Sequence, residues 1–448
     1  MFIEDIEWRD PVSAFAPLAG EPYAHLLHGG QLSSTADWTV IAAFPSEVIE
    51  PGAGSGNLFQ KIDKVLEQRK TAPKPTVARL PFISGILGLV GYETASIFEP
   101  TLSLPPSPYG FPELSLGIYD AAALFSRREK SAYVAGVSKT ACQRLADSLG
   151  ESSLTHVAAL PQFLAQNSNF TRDAYMAAVS GVIENILDGD YYQANISQRI
   201  ECVGTESIKA FKLFQKLASQ SDAAFSALLQ LPNGSIVSNS PERFFQITHA
   251  KNDERNILTE PVKGTRPRGQ TLRQDERYAQ ELLDDPKDRA ENIMIADLLR
   301  NDLSKICIDG TISEDAICDL MSLTNVHHLV SRISGALRPD VSFSDVFAAL
   351  FPCGSITGAP KLEAMKAIAR VERVGRGPYC GAIGYMDDRG NADFAVAIRT
   401  LMVEGGKVTI PVGGGVTLRS DPVEEYKETL VKAKSMLAAL GFSENMTL

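Results

Sequence analysis

Glu260-Pro261-Val262-Lys263-Gly264-Thr265-Arg266-Pro267-Arg268-Gly269 sets a lysine between a proline and a glycine, with two arginines close behind. Pro261 fixes its own φ and biases Glu260 toward an extended backbone. Gly264 lets the chain bend after the lysine and leaves room beside it. Lys263 is therefore expected at a strand end, in a defined position. Arg266 and Arg268 are expected to favour a neutral amine and to draw in an anion. A neutral amine is a nucleophile, and an ammonium is not. For the stretch alone, the plainer reading outweighs this one: a basic loop closing a strand.

The chain around it has 448 residues, 44% hydrophobic and 22% charged, with a net charge of −11. Those proportions fit a globular protein with a sizeable core. The acidic balance argues against a general nucleic-acid binder. An anionic substrate would need a local basic island. Cys142, Cys202, Cys307, Cys318, Cys353 and Cys380 are scattered without a Cys-x-x-Cys pair, which indicates neither a zinc ribbon nor a disulfide framework. A reducing, cytoplasmic setting is expected. Met1 to Asp10 is acidic and polar, unlike a signal or transit peptide, and no apolar run is long enough to span a membrane.

Upstream, residues 1–160 read as mixed α/β. Trp38 to Phe44 is a strand stopped by Pro45, and Leu58 to Arg69 has helical spacing. Residues 71–76 form a Pro/Lys connector. Gly85 to Tyr92 carries Gly-x-x-Gly-x-x-Gly, which points to close backbone packing rather than a dinucleotide loop. Residues 158–168 lack period and read as a linker. Thr171 caps a helix, and a strand follows with Gln193, Asn195, Ser197 and Arg199 on one polar face. That face is either solvated or lines a site. Asn233-Gly234 marks a hairpin, and Pro241 sets Glu242 at a strand edge or bulge. Alone, Glu242 reads as half of a surface pair with Arg243.

Downstream, Asp285-Pro286 opens a helix to about Asn301, with Asp288 as return partner. It carries Glu291 on an apolar face with Ile295 and Leu298. Such a carboxylate must be paired, protonated or bound to metal. Gly354 to Pro360 leads into another helix with Pro360 at its first position, and free N–H groups there suit an anion. Cys380–Asp387 and Asp393–Val403 read as strands of one meander, with Ala395, Ala397 and Arg399 sharing a face. Gly413-Gly414-Gly415 would let backbone approach a ligand. Asp421-Pro422 opens the last helix. On it Glu424, Glu428 and Lys432 read as a solvated ladder.

Taken in order, these pieces resemble the chorismate-utilising enzyme family. The shared motifs are Ser-Pro-Glu-Arg-Phe at 240–244, Pro-Val-Lys-Gly-Thr at 261–265, Arg-Ala-Glu-Asn at 289–292 and His-His-Leu-Val-Ser at 327–331. They continue with Gly-Ser-Ile-Thr-Gly-Ala-Pro-Lys at 354–361, Gly-Ala-Ile-Gly-Tyr at 381–385, Ala-Ile-Arg-Thr at 397–400 and Glu-Thr-x-x-Lys at 428–432. The resemblance implies a chorismate-binding region at 170–441, preceded at 1–160 by the N-terminal region of the aminating members. It implies an α+β fold in one large unit: two antiparallel sheets packed as a sandwich, helices outside, the site between. Lys263 resembles the branch that forms 4-amino-4-deoxychorismate on the way to 4-aminobenzoate and folate. The anthranilate-forming branch has alanine there, and the water-adding members have a base lysine where this chain has Gln193.

The resemblance further implies that Mg²⁺, held by Glu291 and Glu428, binds the ring carboxylate, helped by backbone N–H groups near Gly413 and Gly415. Arg399, with Tyr385 nearby, would take the enolpyruvyl carboxylate. Glu242 would be the general acid and Lys263 the nucleophile. His328, Thr357, Lys432 and Gln193 match family site positions. Ammonia would come from a separate glutamine amidotransferase subunit in a heterodimer, or from solution. Gly29 after Leu26-Leu27-His28 departs from members that hold tryptophan, so bound tryptophan is not expected. The rival readings are an anthranilate-forming enzyme and a non-catalytic ligand-sensing subunit.

Overall fold

A computed structural model describes all residues except 30–36, 53–56, 71–78, 151–159, 221–222, 250–253, 324–325 and 443–448. The expected connector at 71–76 and the start of the expected linker at 158–168 lie outside the described residues.

Among the described residues the strands form two sheets, of 12 and 10 strands. Neighbouring strands pair antiparallel. Period-two alternation builds the layers. Leu87 and Leu89 join Val40, Ala42, Leu229, Ile383 and Met402 in a core between the sheets. Their strand neighbours Ile86 and Val90 face outward, into a core with Ile62, Phe347 and Met365 from helices. The larger sheet is covered on its far side through Leu213, Phe214, Ala433 and Met436. This is the expected α+β sandwich with helices outside.

Local chemistry sets the elements. Asp285 accepts from the N–H groups of Lys287 and Asp288 and so caps helix Pro286–Ser304. Asp421 does the same for Pro422–Leu440, and Gly441 ends that helix at φ +94°. The glycines of Gly85–Val90 do serve close packing. A Cβ on Gly85 would lie 2.4 Å from Met386 O, and one on Gly88 would lie 2.1 Å from Ser115 O.

Several expectations need correction. Phe163–Ser168 is not linker but a strand, paired with residues 200–204. The expected meander is split. Ala392–Val396 belongs to the smaller sheet and Thr400–Glu404 to the larger. Arg399 is therefore off-strand, in the crossover between sheets, at φ +50°. Pro360 caps helix Lys361–Glu372 rather than starting it. Asp288 returns no bond to the helix start and instead pairs with Arg266 at 3.1 Å.

Candidate active site

Lys263 lies in strand Val262–Pro267, whose register with Val326–Ala336 shifts between Lys263 and Thr265. Gly264, at φ +71°, makes that bulge, and a Cβ there would lie 2.8 Å from Leu282. The bulge re-aims Lys263. Its Nζ donates to Ser355 O at 3.1 Å. A Cβ on Gly415 would stand 3.6 Å from Nζ and 2.7 Å from Gln193 Nε2, so glycine leaves that space free. Arg266 and Arg268 are engaged elsewhere, contrary to expectation. Arg266 pairs with Asp285 and Asp288, and Arg268 grips Asp275 at 2.7 Å.

Glu242 is buried, not half of a surface pair, because Pro241 ends one strand and the next begins at Arg243. Its Oε1 has no hydrogen-bond partner. Burial raises its pKa, opposed by the Ser355 hydroxyl and the nearby Lys263 charge. Ser355 thus joins the two groups, its carbonyl on the amine and its hydroxyl on the acid. Arg243 is spent on Glu260 and Asp393.

Helices Pro286–Ser304 and Pro422–Leu440 bring three carboxylates together. Burial raises the pKa of Glu291, and Glu425 and Glu428 add to that rise. Burial also raises Glu425. Glu428 has a side chain 46% exposed, and its partial burial is outweighed by Lys432, 2.7 Å away, which holds the group low. Lys287 Nζ lies 3.5 Å from Glu425 and 3.9 Å from Glu291. Glu291 Oε1 and Glu425 Oε2 are buried without hydrogen-bond partners. A Cβ on Gly414 would lie 2.9 Å from Glu425 Oε2 and 3.6 Å from Glu428 Oε1.

As placed, no group of three or more His, Cys, Asp or Glu among the described residues could hold a metal ion. The donor chemistry suits magnesium, since these are hard carboxylate oxygens, two of them without hydrogen-bond partners, near the side-chain-free Gly414. Glu425 was missed in the sequence. Glu424, expected on that face, is exposed and pairs with Lys427 at 2.6 Å.

Arg399 is enclosed. Burial lowers its pKa, and the opposing charge comes from Glu242. His328 is held by Thr265 Oγ1 at 3.0 Å and Gly264 O at 3.1 Å, both on Nδ1. Burial, with Arg399 adding, drops its pKa to about 4, so the ring is neutral. With Nδ1 donating to Gly264 O, the unpaired Nε2 is a bare acceptor. Thr357 is fully buried, and its carbonyl accepts from Asn195 N at 2.8 Å. Lys432 donates to Gly413 O at 2.8 Å.

Tyr385 keeps other company. It packs on Phe82 at 5.1 Å and lines a cavity with Leu27, His28, Gly29, Trp38 and Phe225. The charges acting on it are Asp393, Asp387, Arg389 and Arg243, not Arg399. Tyr385 lies on the strand Ala382–Asp387, and Arg399 lies in the crossover between the sheets.

Comparisons with known proteins bear on the family and the fold. The family model described as chorismate binding enzyme matches residues 31–438. The chain is 32% identical over 454 residues to aminodeoxychorismate synthase component 1 of Klebsiella aerogenes, covering 97% of this chain and 98% of that one. It is 34% identical over 415 residues to probable anthranilate synthase component 1 of Schizosaccharomyces pombe, covering 88% and 82%. Anthranilate synthase component I of Streptococcus pneumoniae superposes with a TM-score of 0.75 at 25% identity, covering 90% of this chain and 93% of the other. Two relatives with different products at similar identity leave the branch open, but the match over nearly the whole length does not leave the family open: this chain belongs to the chorismate-binding enzymes.

Proposed function

We propose that the protein is the chorismate-aminating component of an aminodeoxychorismate synthase, working in the cytoplasm with ammonia from a separate glutamine amidotransferase subunit. One observation carries the reading: an amine at position 263 lies beside the buried acid Glu242, both tied to Ser355.

One proton passed from the Lys263 ammonium to the Glu242 carboxylate prepares both groups. Neutral Nζ attacks C2 of the ring, the double bond shifts, and the C4–O bond breaks. Glu242 gives its proton to the departing hydroxyl, which leaves as water. Ammonia then attacks C4, the double bond shifts back, and the C2–N bond breaks to return Lys263. Glu242 takes the surplus proton from the new ammonium. Arg399, half-buried near Glu242, holds the enolpyruvyl carboxylate. His328 Nε2 and Thr357 line the same space. Lys432 fixes the Gly413 peptide, so that the N–H groups of Gly413 and Gly415 hold the ring carboxylate. Glu291, Glu425 and Glu428 would hold magnesium, whose charge would neutralise that carboxylate.

Incubation with chorismate and Mg²⁺ but no ammonia should add substrate mass at Lys263. Lys263→Ala should abolish the adduct and slow amination by about 10²-fold or more. An adduct-free protein that still turns over would end the nucleophile role. The relatives favour one alternative, an anthranilate synthase component I. Release of anthranilate and pyruvate from chorismate and ammonia would establish it.

A further inference from the structure

Two segments of the chain pass between the sheets side by side. Gly234–Ser240 lies in the larger sheet and Arg243–His249 in the smaller, so the chain crosses at Pro241 and Glu242. Ala392–Val396 and Thr400–Glu404 make the reverse crossing through residues 397–399. Ser238 pairs with Thr400 on the larger-sheet side, and Arg243 pairs with Ala395 on the smaller-sheet side. One crossing therefore carries Glu242 and its neighbour carries Arg399.

Hydrogen bonds continue from one crossing to the other. Asn239 N donates to Arg399 O at 3.0 Å, and Val396 N donates to Glu242 O at 3.1 Å. Between them Pro241 has no N–H to give. The Ser240 hydroxyl supplies a donor there instead. It is fully buried, donates to Val396 O at 2.6 Å and accepts from Glu242 N at 3.3 Å. One hydroxyl thus closes the turn that presents Glu242 and fastens that turn to the opposite crossing. The Arg399 side has its own tie. The Thr400 hydroxyl, also fully buried, donates to Ile398 O at 3.0 Å and meets the Ser238 hydroxyl at 2.8 Å. Glu242 Oε1 has no hydrogen-bond partner, so the carboxyl depends on its main chain and on Ser355 for its place.

We infer that Ser240 is the positioning residue for the general acid: its hydroxyl latches the two crossings and so sets Glu242 at a fixed reach from Arg399. The inference rests on the roles proposed for those two side chains. The substrate supplies the reason. Its enolpyruvyl group is on C3 and the departing hydroxyl is on the adjacent C4. The residue that grips the one and the residue that protonates the other must therefore keep a single spacing. They are far apart in sequence, so only bonds between the crossings can keep it. Proton donation needs hydrogen-bond reach, and a displacement of about 1 Å can cost about 10²-fold.

Ser240→Ala removes one hydroxyl and leaves both crossings their backbone bonds, so it tests the latch with little risk to folding. With chorismate, Mg²⁺ and ammonium chloride, kcat for chorismate consumption should fall about 10–100-fold. KM for chorismate should stay within about threefold, because Asn239 still holds the Arg399 backbone. In a Glu242→Gln background the same substitution should cost less than about twofold, since no acid is left to position. A kcat within about twofold of the parent overturns the latch. So does a rise in KM that matches the fall in kcat, or a loss that multiplies with that of Glu242→Gln. If Ser240→Ala does not fold, Ser240→Cys, similar in shape but a weaker donor, goes through the same cycle. Chorismate consumption is read whichever product forms, so an anthranilate-forming enzyme leaves the test intact. A parent-like rate in Glu242→Gln alone would overturn the acid role, and the latch with it.

Discussion

At the scale of single residues, Glu242 offers a test with a definite sign. Burial raises its pKa above the ordinary 4.5, so the folded chain keeps this proton at a pH where the unfolded chain has lost it. Its contribution to stability is complete below the unfolded value and fades as pH rises through the folded one. Glu242→Gln cannot ionise. It should melt with the parent at about pH 4 and above it at about pH 8, while losing adduct formation by about 10²–10⁴-fold. A variant less stable than the parent at both pH values would mean that ionised Glu242 is a net stabiliser. Proline and glycine neighbours made the backbone at Glu242 and Lys263 legible, because those residues fix directions locally, but only the family resemblance gave the two side chains roles. Sequence reasoning misjudged Arg266 and Arg268, because their partners Asp275, Asp285 and Asp288 sit on helices that no local pattern places there. Glu425 was missed for a similar reason. An i, i+4 ladder selects Glu424 with Glu428, whereas the buried phase of that helix runs through Glu425, Tyr426, Thr429 and Ala433. The i, i+3 neighbour rule would have found it.

At the scale of elements, the two Asp-Pro helix starts were legible because capping is local chemistry. Phe163–Ser168 was not, because Phe-Leu-Ala-Gln-Asn-Ser lacks alternation and becomes a strand only through its partner. The sheet change after Val396 was equally hidden, since the apolar run continues through Ala397 and Ile398 while the backbone turns at Arg399. What the helices bring together can be weighed by titration. Glu291, Glu425 and Glu428 lie near one another with Lys287 as counter-charge. Glu425→Ala should weaken the magnesium dependence of adduct formation by about 10–100-fold, and should shrink the rise in Tm that magnesium gives without chorismate. Lys287→Met should have the opposite signature: a lower Tm without magnesium, because the carboxylates lose their counter-charge, and a larger rise on its addition. Identical magnesium titrations for all three proteins would remove these helices from the metal site.

For the whole molecule, the two sheets make the N-terminal third inseparable from the rest. His25–Gly29 pairs with Phe225–Leu231 in the larger sheet, and Gly85–Val90 pairs with Ala382–Asp387 in the smaller. The core between the sheets takes Val40, Leu87, Tyr119 and Leu124 from one region, and Leu229, Ile383, Ala397 and Met402 from the other. Cutting near residue 160 would therefore expose the edges of two sheets and split that core, although composition and length permit separate domains there. Unpaired edges and bared apolar faces favour aggregation over folding. Residues 1–160 and 161–448, expressed separately, should each fail to give a cooperative melt, while the intact chain should lose both regions in one calorimetric transition. Coexpression of the fragments should recover part of the fold, because the lost contacts are between strands and need no covalent link. A cooperative melt from either fragment alone would show that one region completes its sheets without the other. The site between the sheets would then depend on the docking of two folded units, and the Arg399 crossover would have to be set by that docking rather than by the shared core.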